Sequence, residues 1–449
     1  MKTAITKDSP VLVTGATGYF AGVLIKDLLE EGLTVHGTVR NIEDTDSYQH
    51  ILDLPGANSR FKVFAADLLK AGTFKNAMEG CQVVFHTATP RPEKITDPYK
   101  EVVAPCIKGT KNVLNQAKKT PSVKRIVLTS SINAMYSDAK DILDSEEKIL
   151  NESFWNETAS MDYEPYFFAK TLAEKDAWEK MEKQDHWDLV TICPGLILGP
   201  GLKCHRKAHS VSLITSMGNG TYKLGILELA VVCVDVRDVS RAHIEAAFRP
   251  EANGRYIVAL QDEPTNYFAI SQMLRAVHPE FEGGPQWPET PNSKNFAWTF
   301  GPLYALHRRF ISRNVGYPVV VDASRSESEL SIKYRPLSET LRDMAKQIID
   351  EGLWNKEHMA EEARLAKEEE KRLKELEKEE RLKRRELRLA KEAEEREKAK
   401  QERAAEKERL REEKKRAKEE RERERLGQTN NAEPNNNDFT RDNSVSNMV

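Results

Sequence analysis

Cysteine is scarce in this chain, with five in 449 residues. Cys81, Cys106, Cys193, Cys204 and Cys233 are widely spaced and sit mostly in apolar surroundings, which excludes a disulfide framework and offers no metal-ligand spacing. They read as reduced thiols of a cytoplasmic protein, and no metal is expected. Long apolar runs are also missing. No stretch of about 18 apolar residues occurs, so no helix should span a membrane, and Met1 to Pro10 lacks the apolar core of a secretory leader. Nor is there an excess of one charge: 69 basic residues stand against 72 acidic ones, a net charge of -3. The chain as a whole therefore exerts no general pull on nucleic acid or acidic membranes.

A further absence is local. From Lys356 to Leu426 there is neither glycine nor proline, and nearly all large apolar and aromatic residues precede Trp354. One globular body is expected to end near residue 352. The segment that follows carries 27 basic and 24 acidic residues. Glu commonly precedes Lys or Arg by four positions, as in Glu368/Arg372, Glu370/Lys374, Glu379/Lys383 and Glu394/Lys398, and each such pair stabilises a helix by about 0.2 to 0.5 kcal/mol. Leu365, Leu373, Leu376, Leu382, Leu387 and Leu389 hold no seven-residue register, so a coiled-coil seam is poorly specified. A solvated single helix over 353–426, roughly 105 Å long at 1.5 Å per residue, is the simplest reading. The alternative is a coiled coil that self-associates or meets a protein partner. The Asn-rich stretch 427–449 should be disordered.

Before that segment, short β-rich runs alternate with amphipathic stretches: Val11 to Thr14, Thr34 to Val39, Phe61 to Ala65, Gln82 to His86, Arg125 to Thr129 and Leu189 to Cys193. Strands alternating with helices predict an α/β fold, a doubly wound Rossmann-type parallel sheet covered on both faces. Each run ends in polar or small residues, and in such a sheet those ends line the ligand crevice. From Gly199 the pattern loosens, although Val231 to Val234, Arg255 to Ala259 and a helix over Pro336 to Ile349 remain legible. The expected organisation is a nucleotide-binding domain over 1–198 and a smaller, interleaved substrate lobe over 199–352.

Thr14-Gly15-Ala16-Thr17-Gly18-Tyr19-Phe20-Ala21-Gly22 follows the first run and opens a helix. Small residues there let the backbone approach a pyrophosphate, whose charge meets the free amides of the helix N-terminus. The next run ends in Val39-Arg40, where an acidic residue would accept from ribose hydroxyls. A guanidinium suits a 2′-phosphate instead and points to NADP, although Asp44 and Asp46 follow closely. Tyr166-Phe167-Phe168-Ala169-Lys170 puts a phenol and an ammonium four apart on one helix face, a pairing that stabilises a phenolate and suits proton transfer to a carbonyl oxygen. Thr129-Ser130-Ser131 ends the fifth run at the same edge, where a serine hydroxyl can donate to that carbonyl.

Together these residues resemble the extended short-chain dehydrogenase/reductases, most closely the branch of dihydroflavonol reductases and cinnamoyl-CoA reductases. The resemblance covers about residues 8 to 352. It rests on Thr14 to Gly22, Val39-Arg40, Asp67-Leu68, Phe85-His86-Thr87-Ala88-Thr89-Pro90, Thr129-Ser130-Ser131, Tyr166 to Lys170, Pro194-Gly195 and Val234-Asp235-Val236-Arg237-Asp238. It implies NADPH-dependent reduction of an aldehyde or ketone, with Ser131, Tyr166 and Lys170 catalytic and Lys170 also on the nicotinamide ribose. Gly15, Thr17, Gly18, Tyr19, Phe20 and Thr14 would hold the pyrophosphate. Asp67 and Leu68 would flank adenine, Ala88 would lie by the ribose, Pro194 would border the nicotinamide, and Thr87 belongs to the same cofactor-binding set. Ala21 stands where the third glycine is usual. Tyr136 occupies a substrate-contacting Asn or Asp position of the dihydroflavonol reductases, and Asp162 to Pro165 lacks the Asn-Trp-Tyr-Cys run of the cinnamoyl-CoA reductases. Neither plant substrate carries over. An NAD-dependent nucleotide-sugar epimerase or dehydratase and a non-catalytic NADP-binding scaffold are the alternatives; Arg40 opposes the first and the complete Ser131, Tyr166, Lys170 set the second.

Overall fold

The structure is a computed structural model that describes residues 5–89, 97–206, 208–261, 265–277, 287–301, 306–354 and 356–428. It divides into two units, Met1–Glu361 and Glu362–Val449.

The first unit is built on a seven-stranded sheet. Its strands are β1 (Val11–Val13), β2 (Val35–Val39), β3 (Phe61–Ala65), β4 (Val83–His86), β5 (Arg125–Thr129), β6 (Asp188–Pro194) and a strand at Gly254–Val258. They lie in the order β3, β2, β1, β4, β5, β6 and then Gly254–Val258, with every neighbouring pair parallel. Such an order requires crossover connections, and these are helical. On one face α1 (Tyr19–Glu30) packs against the helix Val236–Phe248; on the other α2 (Ala104–Lys118) packs against α3 (Pro165–Glu182). The central strands are buried on both faces, which is why β1, β4 and β5 read as largely apolar runs without alternation, whereas β2 buries His36, Gly37 and Thr38 between its valines. Each face closes its own apolar core, one around Leu24, Leu28, Val35 and Val239, the other around Leu12, Val84, Val113 and Leu189.

The seventh strand comes from beyond residue 198. Gly254 to Val258 pair with Val190 to Pro194, so the segment expected to belong to the substrate lobe returns to complete the sheet. The intervening chain leaves the sheet at β7 (Leu196–Leu198), which pairs with Cys233–Asp235. The helices His209–Gly218, Tyr267–Val277 and Leu337–Asp350 pack together there around Ile214, Leu274, Leu341 and Met344. Leu353 and Trp354 belong to that core, with Trp354 only 1% exposed and its Nε1 donating to the Thr215 carbonyl at 3.0 Å. The folded body thus runs past the expected end at residue 352.

A single helix covers Lys356–Gln428. Leu382, Leu389 and Leu410 on it are exposed, and i to i+4 ion pairs join Arg364 to Glu368 and Arg388 to Glu392. The tail expected to be disordered lies outside the described residues from position 429, as does Pro90.

Candidate active site

The carboxyl ends of the parallel strands open into one cleft of about 1520 Å³. The turn between β1 and α1 forms its floor. Gly15 has φ +71°, and a Cβ there would come within 2.9 Å of the Ala88 Cβ, so the close approach of this turn to the end of β4 requires glycine. Gly18 caps α1 without any side-chain hydrogen bond, leaving the first-turn amides to the cleft beside Thr17 and Tyr19. Ala21 is 3% exposed where α1 meets the sheet, so its methyl is accommodated.

Thr14 is placed differently from its neighbours. It is wholly buried, and its Oγ1 accepts from the backbone N–H groups of Thr87 and Ala88, each at 3.1 Å. Its own hydroxyl therefore donates to His86 Nδ1, 3.0 Å away. Burial and then the Lys170 charge push the His86 imidazole down to about 3, keeping it neutral. Thr14 thus ties β1 to β4 and does not line the cleft. The other residues of the expected set do: Gly15, Thr17, Gly18, Tyr19, Phe20, Arg40, Asp67, Leu68, Thr87, Ala88, Ser131, Tyr166, Lys170 and Pro194.

Ser131 and Ser130 separate cleanly. Ser130 is buried with its hydroxyl donating to Glu174 at 2.5 Å, whereas Ser131 opens the turn Ile132–Ala134 and its Oγ accepts from the Asn133 N–H at 3.2 Å. That Oγ retains a proton to donate towards the cleft. Lys170 is 6% exposed, and its Nζ donates to the Thr129 carbonyl at 2.9 Å, which anchors the ammonium beside the end of β5. Tyr166 stands one turn earlier on α3 and lines the same cleft.

Other groups here left little trace in the sequence. Glu164, just before α3, has φ +54°, a left-handed conformation that costs a residue other than glycine strain. It lines the cleft, and burial, reinforced by Asp138 and opposed by His307, pushes its carboxyl up. Asp138 accepts from Tyr163 Oη at 2.5 Å, Arg313 Nε at 2.8 Å and Asn314 Nδ2 at 2.7 Å, tying the far wall of the cleft together. At the opposite end, the turn after β7 brings in Lys203, Cys204 and His205. A cluster of basic residues straight after Gly199-Pro200 was the available signal for this turn.

Residues 12–274 match the 3-beta hydroxysteroid dehydrogenase/isomerase family. A cinnamoyl-CoA reductase of Medicago truncatula is 37% identical over 276 residues, covering 61% of this chain and 82% of that protein. Tetraketide alpha-pyrone reductase 1 of Arabidopsis thaliana is 34% identical over 348 residues, covering 76% of this chain and 96% of that one. Among solved structures, yeast methylglyoxal/isovaleraldehyde reductase complexed with NADPH is similar at 26% identity and a TM-score of 0.63, over 77% of this chain and 99% of the other.

Proposed function

Because the chain belongs to the 3-beta hydroxysteroid dehydrogenase/isomerase family within the extended short-chain dehydrogenase/reductases, we propose that it reduces an aldehyde or ketone to an alcohol at the expense of NADPH. The observation that carries this reading is that Ser131, Tyr166 and Lys170 face one cleft with Arg40 at its other end.

The residues present fit the dinucleotide. The uncapped amides of α1 suit its pyrophosphate, and Arg40, exposed at the end of β2, suits a 2′-phosphate. Asp67 and Leu68 would flank the adenine, and Pro194 would border the nicotinamide. The cleft exceeds the roughly 300 to 1,000 Å³ of a single small-ligand site, leaving room for a carbonyl substrate. When bound, NADPH supplies the hydride.

The chain supplies the rest. Ser131 donates to the carbonyl oxygen and polarises it. Tyr166 donates a proton to that oxygen as negative charge develops there, and Lys170, held by Thr129, stabilises the phenolate left behind. Lys170 also reaches the nicotinamide ribose in this reading. Its anchor supports that role because a fixed ammonium loses little freedom when ligand arrives. A cytoplasmic location accompanies the reading, supported by five free cysteines, four of them buried.

The test is NADPH oxidation by the full chain against a panel of small aldehydes, diketones and hydroxyketones. Turnover with at least one class is expected. A chain inert towards all of them that interconverts a nucleotide sugar would replace this reading with the epimerase one.

A further inference from the structure

The loop that follows Arg40 is poorly suited to hold a phosphate by itself. It runs Asn41-Ile42-Glu43-Asp44-Thr45-Asp46-Ser47, with three carboxylates and no cation. A phosphate monoester placed against Arg40 would meet that acidic loop at once, and like charges at short range oppose binding.

The structure brings a cation to the same place from elsewhere in the chain. Lys203, in the turn after β7, directs its Nζ to the Ser47 carbonyl oxygen at 3.4 Å, across 156 positions of sequence. Lys203 and Arg40 line the same cleft. The turn that carries Lys203 is tied down on several sides. Tyr19 Oη donates to the Gly199 carbonyl at 2.6 Å. Gly201 N donates to Gln347 Oε1, and Gln347 Nε2 donates to the Gly201 carbonyl, both at 2.9 Å. The Cys204 N–H donates to Glu351 at 2.9 Å, and Leu202 packs on α1 at Gly22. A lysine on so fixed a turn meets a ligand with little reorganisation.

Two imidazoles stand beside it and do not share its charge. His205 lies edge-on to Tyr19 at 6.3 Å and to His50 at 5.9 Å. Burial, and after it the Lys203 charge, pushes both histidines down to about 4, so they are neutral at physiological pH. The histidines add no charge to this corner, which takes its positive charge from the Lys203 ammonium and the Arg206 guanidinium on the same turn.

We propose that Lys203 is a second reader of the 2′-phosphate on the adenosine ribose, acting with Arg40 from the turn after β7. Preference for NADPH is then divided between the end of β2 and the turn after β7, and Lys203 offsets the acidic loop between them. This rests on the NADPH reading above.

The experiment measures dissociation constants of the full chain for NADPH, NADH and adenosine 2′,5′-bisphosphate by calorimetry. The proteins compared are wild type, Lys203→Met, Lys203→Arg, Arg40→Ala and the double variant Arg40→Ala/Lys203→Met. A charge-assisted contact predicts that Lys203→Met weakens NADPH and the bisphosphate by about tenfold and leaves NADH unchanged. Lys203→Arg should restore most of the loss, and the double variant should bind NADPH and NADH alike. A Lys203→Met protein that loses NADPH and NADH equally, or neither, overturns the proposal, because the lysine then reads no 2′-phosphate. A wild-type chain that binds NADH as tightly as NADPH fails differently: the cofactor reading itself falls, and the proposal with it.

Discussion

Lys170 Nζ and the Thr129 carbonyl oxygen meet at 2.9 Å, which puts the ammonium of α3 under the control of β5. Thr129 is itself fixed. Its Oγ1 lies 2.7 Å from His243 Nε2, and His243 Nδ1 lies 2.8 Å from the Val239 carbonyl, which can only accept. The proton must therefore sit on Nδ1, leaving Nε2 to accept from the threonine hydroxyl. A neutral imidazole on the helix Val236–Phe248 thus orients the residue that holds the lysine.

That arrangement sets a pH dependence. Burial pushes His243 down to about 4 and His86 down to about 3, both below the ordinary value of 6.5. The unfolded chain then binds more protons than the folded one over this range, so stability rises with pH. The full contribution is present above about pH 6.5 and is lost as pH falls towards 4, with a slope of about 1.4 kcal/mol per pH unit for each histidine. Urea unfolding at pH 7.5, 6 and 5 should show a falling midpoint, and His243→Asn should flatten the curve. A midpoint that rises on acidification would contradict the assignment of neutral buried imidazoles.

A buried ion pair behind the cleft should matter for stability. Glu174 is 1% exposed and accepts from Ser130, from Thr191 at 3.0 Å and from Arg255 Nε at 2.8 Å, while the Arg255 guanidinium stacks on Trp155 at 3.8 Å. Glu174→Ala strands a buried cation and should cost about 3 to 5 kcal/mol of unfolding free energy. The double variant Glu174→Leu/Arg255→Met should recover much of that loss, because a hydrophobic pair leaves no charge unpaired. A single variant as stable as the parent would show that the pair is not needed.

The charged helix should be dispensable for reduction. A chain ending at Glu361 keeps Trp354, whose indole fills the core of the first unit, whereas a cut at Gly352 removes it. Truncation after Glu361 should leave kcat and KM for NADPH unchanged, and sedimentation of the full chain should give a monomer mass. Activity lost on this truncation, or a dimer that vanishes with it, would make the helix part of the working enzyme.

The parallel sheet and the Tyr166/Lys170 helix were legible in the sequence because most buried strands read as apolar runs and residues four apart share one face of a helix. Gly254–Val258 was legible as a strand but not as the seventh of this sheet, since a strand's neighbours depend on where a long excursion returns. Leu353 and Trp354 were set outside the body because charge begins right after them, although their side chains point back into the core. Thr14 was grouped with the cleft residues by its motif, yet its hydroxyl is consumed by His86, Thr87 and Ala88. Lys203 and His243 were not legible as partners of the site at all. Their contacts span 156 positions to Ser47 and 114 to Thr129, and no local spacing encodes such distances.

The most direct test of the account is Tyr166→Phe. General acid catalysis predicts that this single oxygen supplies at least about a hundredfold in turnover, while the rest of the cleft, and with it the dissociation constant for NADPH, is unaffected. Single-turnover oxidation of NADPH with a substrate found in the carbonyl panel, measured beside NADPH binding in the same preparation, separates the two quantities. Unchanged binding and turnover lower by at least that factor are expected; a Tyr166→Phe chain that still reduces the carbonyl at the parental rate would show that Tyr166 is not the proton donor.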